Sequence, residues 1–369
     1  MPELWLNYGG TDIILDLKVE NLSLVENSKF DIRTNEGIAE DIKSVPVTDE
    51  TILVPLDGSN STVQITAALV SQAESTGISL SIESIPSARK QLSNKISTQN
   101  ITIIEKNTDH FIKRANEKST IFISKSNVDP FFGYHGTPSN LLRLIGQNKM
   151  NEVFHSRVDD LPHPGEKCPP TEIANEFCEN MEAKSIEIIS NNSGIHNIYF
   201  GQITQSFQNA TDKLANLSLE NEQGLKSLIL GTNIDSSSSG TLTRSLDLLW
   251  NSINALKKNA TVVIISENSK GFGSQALEKL AYGKLKLEDY RNQYYFDGLE
   301  HIMFINSLSE KYSVAILSSL PKYYLKEKFG FNIFSNVQEA AEKILDINGK
   351  SHRISLIQDP NVAIFKKGN

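Results

Sequence analysis

Cysteine is almost missing from this chain: Cys168 and Cys178 are the whole supply in 369 residues. Two are too few for a disulfide framework, and their separation is not a structural-zinc spacing. Reduced thiols and a cytoplasmic location are the expectation. Apolar runs of bilayer length are missing too. The opening residues, Met1-Pro-Glu-Leu-Trp-Leu-Asn7, show no basic region followed by an apolar core, so no signal peptide is expected and no membrane partner. A basic stripe is also lacking: the formal charge is -8, and pairs such as Lys257-Lys258 and Lys366-Lys367 read as solvated surface rather than phosphate clamps. That balance argues against a nucleic-acid partner.

What is present describes a globular protein able to bury proper cores, with 39% hydrophobic and 22% charged residues. The length suits two domains rather than one. Short apolar runs alternate with amphipathic ones throughout, the pattern of α/β architecture. Strands are expected at Ile13–Leu17, Thr51–Leu56, Ile78–Ile82, Ile101–Glu105, Thr120–Ser124, Ser185–Ser190 and Asn197–Ile203. Further ones are expected at Ser227–Leu230, Thr261–Ser266, Ser313–Leu317, Ile354–Gln358 and Val362–Phe365. Leu242, Leu246, Leu249, Ile253 and Leu256 recur at helical spacing, as do Leu299, Ile302, Ile305, Leu308 and Tyr312. Ser335-Asn-Val-Gln338 reads as a capping box opening a helix that stops near Asn348-Gly349. A boundary in the polar region Gln208–Gly224 divides the chain into an N-terminal α/β domain, 1–220, and a C-terminal α/β domain, 221–369.

The densest functional signal runs from Ser126 to His155. An apolar strand feeds a turn rich in Pro130, Gly133, Gly136 and Pro138, set among two Phe, Tyr134 and His135, and a helix follows near Ser139. Strand, glycine-rich turn and helix N-terminus is where open α/β sheets hold ligands, because the N–H groups there attract anions. Two other loops have this form. Asp57-Gly-Ser-Asn-Ser-Thr62 offers hydroxyls at a strand end, and Gly271-Phe-Gly273 follows the strong strand at Thr261–Ser266. Each also has a plain structural reading as a capped connector.

Taken together, these segments resemble the nickel-dependent lactate racemase family, whose members bind a nickel-pincer nucleotide and racemise or epimerise 2-hydroxy acids. Pro130-Phe-Phe-Gly-Tyr-His-Gly-Thr-Pro-Ser139 is similar to the family's His-Phe-Phe-Ala-Gly-Phe-Ser-Gly-Gly-x-Lys segment, one residue shorter, and the family's downstream His falls on His155. Asp57 matches the opening of an Asp-x-Thr-Arg-Pro motif, with Asn60 at the arginine. The order of elements fits nearly the whole chain. The resemblance implies two α/β domains of lactate-racemase-like fold, with a ligand cleft between them. It implies His155 as a metal ligand and His135 as a catalytic group in place of Pro130. Asp57, Asn60, Tyr134, Gly136, Ser139, Arg244, Gly271 and Gly273 become substrate- or cofactor-binding positions.

The departures matter as much. The family's anchor lysine falls on Ser139, or on Asn140 or Pro138 if the gap is shifted, none of which can make the amide-type link, and its Gly-x-His-Arg-Pro motif falls on Ser81-Ile-Glu-Ser-Ile-Pro-Ser-Ala-Arg89, which has no histidine. Glu83 and Arg89 there read as a solvated face. Arg244 is the cation on offer for a carboxylate, and His110 a further proton carrier. Three functions stay open. One is a divergent member acting on another hydroxy acid or phosphorylated ligand, with nickel or its nucleotide held differently or not used. The second is a non-catalytic ligand-binding or regulatory protein, and the third a lactate racemase with substituted groups. The expected partner is a small anionic molecule; nothing in the sequence sets the oligomeric state.

Overall fold

The structure is a computed structural model describing residues 3–9, 11–25, 30–96, 101–103, 108–157, 164–191, 193–217, 224–231, 240–357 and 365. In chain order the elements begin with β1 (Glu3–Tyr8), β2 (Thr11–Asp16), β3 (Leu22–Leu24), α1 (Asn35–Lys43), β4 (Ile52–Pro55), α2 (Asn60–Ser75), β5 (Ser81–Ser84) and α3 (Pro86–Ser93). Next come β6 (Ile101–Ile103), α4 (Thr108–Ala115), β7 (Thr120–Asp129), β8 (Gly133–His135), α5 (Thr137–Ile145), α6 (Gln147–His155), α7 (Pro169–Cys178), β9 (Lys184–Asn191), β10 (Gly194–Gln202) and α8 (Ile203–Asn216). The last part holds β11 (Leu225–Gly231), α9 (Leu242–Asn251), β12 (Leu256–Ile265), α10 (Gln275–Ala281), α11 (Leu299–Lys311), β13 (Ser313–Leu317), β14 (Asn332–Ile333), α12 (Val337–Asn348) and β15 (Ile354–Ile357). No helix among the described residues is long and apolar enough to cross a membrane.

Two compact units emerge. The central unit, Lys29–Val158 with Gly165–Leu217, is built on a sheet of order β10-β9-β7-β4-β5-β6, with β8 folded back on β7. Strands β9, β7, β4, β5 and β6 run parallel, and only the β9–β10 and β7–β8 pairs are antiparallel. Successive residues of a buried parallel strand must satisfy opposite cores, which is why these strands are apolar without alternation. Leu53 and Ile121 join a core made with Ile38 of α1, Leu69 of α2 and Leu92 of α3. Their neighbours Val54 and Phe122 join the other, with Phe111 of α4, Leu141 of α5 and Ile203 of α8. Helices on both faces make this a doubly wound α/β sheet.

The terminal unit gathers Met1–Ser28, Asp159–Pro164 and Ser218–Asn369. Its sheet, β14-β13-β12-β11-β15-β3, is parallel throughout. The β1–β2 hairpin and α12 close one core through Leu6, Leu15, Val337 and Ile344. In α9 and α11, Trp250 stacks on Phe304 at 4.4 Å.

Several expectations are corrected. The division at 220/221 assigns the first strands to the wrong unit: β3 pairs with β15, Leu22 opposite Ile354, and Asn21 Nδ2 donates to the carbonyls of Lys350 at 2.8 Å and His352 at 2.9 Å. Nothing local in a three-residue strand announces so remote a partner. The helix expected through Leu256 stops at Asn251, and Leu256 opens β12. The capping box before α12 is shifted by one: Asn336 Oδ1 accepts from the Glu339 N–H at 2.8 Å, and Glu339 Oε2 accepts from the Ser335 N–H at 2.7 Å. Residues 104–105, 159–163, 218–223, 232–239 and 358–364, on which parts of the expected strands, turns and boundary fall, lie outside the described residues.

Candidate functional site

In a parallel sheet the carboxyl ends of the strands and the N-termini of the following helices share one edge. In the central unit that edge carries the Asp57 loop after β4, Glu83 near the end of β5, the first turn of α4 and Ser124 on β7, with His135 and Asn140 beyond it.

Asp57 is a strut. Its Oδ1 accepts from the Ser59 N–H at 2.9 Å and its Oδ2 from the Lys125 N–H at 2.8 Å, which ties the start of α2 to β7. Ser59 caps α2, its hydroxyl accepting from the Thr62 N–H at 3.3 Å. Asn60 is the first residue of that helix.

His135 is held on both sides of its ring. Nδ1 lies 3.3 Å from Ser139 Oγ and 3.8 Å from Asp129 Oδ2, while Nε2 faces Asn140 Nδ2 at 3.2 Å. Because Asn140 Nδ2 can only donate, Nε2 is the acceptor and Nδ1 carries the proton. Asn140 Nδ2 also reaches Ser124 Oγ at 2.8 Å. A lone pair already pointed at an amide is poorly set to take a ligand's proton, so the catalytic duty expected of His135 does not match its geometry. Ser139 is buried and serves the turn: its hydroxyl donates to the Gly136 carbonyl and accepts from the Gly136 N–H, both at 3.1 Å. Gly136 is required by close approach, since a Cβ there would stand 2.5 Å from the Phe207 ring and 2.7 Å from Glu187 Oε2. Tyr134 is a core residue, 3% exposed, whose hydroxyl donates to the Gly165 carbonyl at 2.5 Å. Burial, with the charges of Asp212 and Glu166, pushes its phenol up to about 12. His155 is exposed at the last position of α6, and no group of three or more His, Cys, Asp or Glu able to hold a metal occurs among the described residues. Burial raises both thiols, Cys168 and Cys178, above the ordinary range, so neither has the thiolate character of a nucleophile.

The arrangement that sequence reasoning underrated is at Glu83. Far from a solvated face, it is 9% exposed. Arg114 grips it with two bonds, Nη2 to Oε1 at 2.5 Å and Nε to Oε2 at 2.8 Å, and His110 Nε2 meets Oε2 at 2.7 Å. Burial opposes its ionisation, but the bonds and charges of Arg114 and His110 prevail and hold the carboxyl below the usual range. A carboxylate facing Nε2 fixes that nitrogen as the N–H, which leaves Nδ1 as the acceptor. His110 keeps a third of its side chain, 34%, exposed while Glu83 and Arg114 keep 11% and 16%. The signal was present in part: His110 and Arg114 are one helical turn apart, but only folding brings them to Glu83.

A second missed group is Glu187 on β9, wholly buried, accepting from Ser126 Oγ at 2.6 Å, the Thr137 N–H at 3.1 Å and Ser185 Oγ at 3.3 Å. Desolvation outweighs those bonds and pushes its carboxyl up to about 6. Glu187 thus occupies the first turn of α5, where a ligand's anion was expected.

Arg244, Gly271 and Gly273 belong to the terminal unit. Arg244 is half-buried in the first turn of α9, which Thr241 caps at 3.4 Å. The Gly271 and Phe272 carbonyls accept from the N–H groups of Leu242 and Thr243, each at 3.0 Å, so the loop itself occupies this helix start. Gly273, at φ +90°, passes too near Thr241 and Thr243 to carry a side chain. Phe272 is buried against Tyr324 and Phe329.

No family model and no curated protein matches the chain. Its fold is similar to that of solved structures. The lactate racemase apoprotein from Thermoanaerobacterium thermosaccharolyticum superposes with a TM-score of 0.76 over 99% of this chain and 100% of the other, at 13% identity. A protein from Thermotoga maritima superposes with a TM-score of 0.60 over 90% of this chain and 97% of the other, at 10% identity. At such identity the likeness speaks to architecture alone: this chain has a lactate-racemase-like α/β fold.

Proposed function

We propose that the central unit binds a small hydroxylated acid at the carboxyl edge of its parallel sheet, and that His110, oriented by Glu83, exchanges a proton with the ligand's hydroxyl. The observation that carries this is the Glu83–His110 pair, 2.7 Å apart, with the carboxylate locked by Arg114 and the imidazole open to solvent. A base needs one nitrogen fixed and its ring within a ligand's reach; Glu83 fixes Nε2 of His110, and a third of the side chain is exposed. Likeness of fold to a lactate racemase supports hydroxy acids as the ligand class. The N-terminus of α2, behind the Asp57 strut, favours an anion's charge.

The residues present do not fit a pincer nucleotide. Ser139, at the position of the anchor lysine, is buried with its hydroxyl committed to Gly136, and His155 stands exposed, with no group of three or more His, Cys, Asp or Glu able to hold a metal among the described residues. A second reading, ligand binding without turnover, is favoured by His135 being closed on both sides by Ser139 and Asn140.

Thermal-shift titration with a panel of 2-hydroxy acids and their phosphorylated counterparts, followed by chiral chromatography, tests both. The proposal expects a hydroxy acid that stabilises the protein, and turnover that His110→Asn abolishes while binding survives. Stabilisation without turnover supports the second reading; no stabilisation by any member of the panel removes the site.

A further inference from the structure

We propose that the terminal unit binds a small organic cation, an ammonium carried on an apolar chain or ring, in the cavity between the β1–β2 hairpin, the end of β13 and the first turns of α12. The cavity holds about 580 Å³, a volume suited to a small molecule. Its wall is apolar, from Ile13, Leu317, the buried Val337 and the ring of Tyr8, and Ile14 stands at the rim with 44% of its surface exposed. The polar side of the lining is acidic, from Glu339 and Glu342, and among the described residues no Lys, Arg or His lines it.

The start of α12 would by itself favour an anion, but three of the N–H groups at that end already have acceptors within the protein. Asn336 Oδ1 takes the Glu339 N–H, the Asn336 carbonyl takes the Ala340 N–H, and Glu339 Oε2 takes the Ser335 N–H. Gln338 is committed as well, accepting from the Asp16 N–H at 3.3 Å and donating to Glu342 Oε1 at 3.2 Å. Against the N–H groups that remain and a helix dipole worth about half a charge stand the two full negative charges of Glu339 and Glu342. Glu267 adds to this field: its carboxylate packs so tightly on Gly9 that a Cβ there would overlap it, and its charge joins burial in raising the Tyr8 phenol. A cation seated on the Tyr8 ring, with its apolar part against Val337 and Leu317, satisfies every wall. This site is independent of the anionic ligand proposed for the central unit, and the charge it selects is opposite.

Ligand-observed NMR titration of the full chain at low salt, with phenethylammonium, 2-phenylethanol and phenylacetate as probes of matched shape, tests the proposal. Phenethylammonium is expected to bind about tenfold more tightly than the alcohol, and phenylacetate not at all, with the difference eroded by added salt. Glu342→Lys, a change on an exposed helix face, is expected to weaken phenethylammonium about tenfold without altering the melting temperature. Ile14→Asn is expected to weaken all probes that bind by removing apolar contact. Equal binding of the three probes, unchanged binding by Glu342→Lys, or no binding of phenethylammonium up to about 20 mM would each overturn it.

Discussion

Glu187 on β9 and Glu83 on β5 are both buried carboxylates of one sheet, and they respond to pH in opposite directions. Glu187, with its carboxyl raised to about 6 from 4.5, folds more readily protonated than ionised. Its contribution is fully present below the unfolded value and is lost as pH rises through about 6, a cost of about 2 kcal/mol. Urea unfolding of Glu187→Gln is therefore expected to lose the decline between about pH 4.5 and 6.5 and to match or exceed the parent's stability at pH 8 by up to about 2 kcal/mol. Glu83 behaves the other way. Held low by Arg114 and His110, it stabilises above the ordinary carboxylate range and loses that contribution as pH falls through its folded value. Glu83→Gln leaves Arg114 facing a neutral amide and is expected to cost about 2 kcal/mol near neutral pH, measured by the same unfolding series. His110→Asn removes the imidazole from its exposed position and is expected to leave stability within about 1 kcal/mol while removing the proton transfer proposed above.

Elements in the central unit owe their positions to starts and turns that are settled locally. Ser59 closes the first turn of α2, and Ser59→Ala is expected to cost about 1 kcal/mol in thermal or urea unfolding. The start of α5 is less forgiving. Gly136 lies between the Phe207 ring and the Glu187 carboxylate, so Gly136→Ala is expected to cost about 1–3 kcal/mol by overpacking. A conformational role for that glycine would predict little effect, because its backbone is extended, at φ 175°. The same comparison separates a packing glycine from one kept free for a phosphate: binding of the ligand would change without stability in the second case. Short elements were legible where a cap or turn residue marked them, as at Asn348-Gly349, where α12 ends. They were misjudged where an apolar period ran past the real end, as Leu256 continued the stripe of α9 into β12.

For the whole molecule, the first residues matter more to the last than to those that follow them. β3 supplies the edge of the terminal sheet beside β15, and Leu6, Leu15 and Leu17 enter its core. Removing residues 1–25 uncovers the β15 edge and the apolar residues Ile354 and Leu356 at once. Limited proteolysis of that truncation is expected to cut within 225–357 while fragments of the central unit survive. Survival of both units would show that the hairpin and β3 are dispensable.

Periodicity and composition alone determined the α/β class, most strand positions and the order of elements, because buried parallel strands and amphipathic helices impose their patterns on neighbouring residues. The position of the loops at strand ends followed from the same alternation. What only the tertiary structure decided was which polar groups meet. Asp57 became a strut because β7 lies beside β4, and Glu83 became the partner of His110 and Arg114 because α4 returns over β5. Glu187, unremarkable within an apolar run, became the anion at the start of α5. Such pairings depend on contacts between residues tens of positions apart, and a linear pattern carries no record of them.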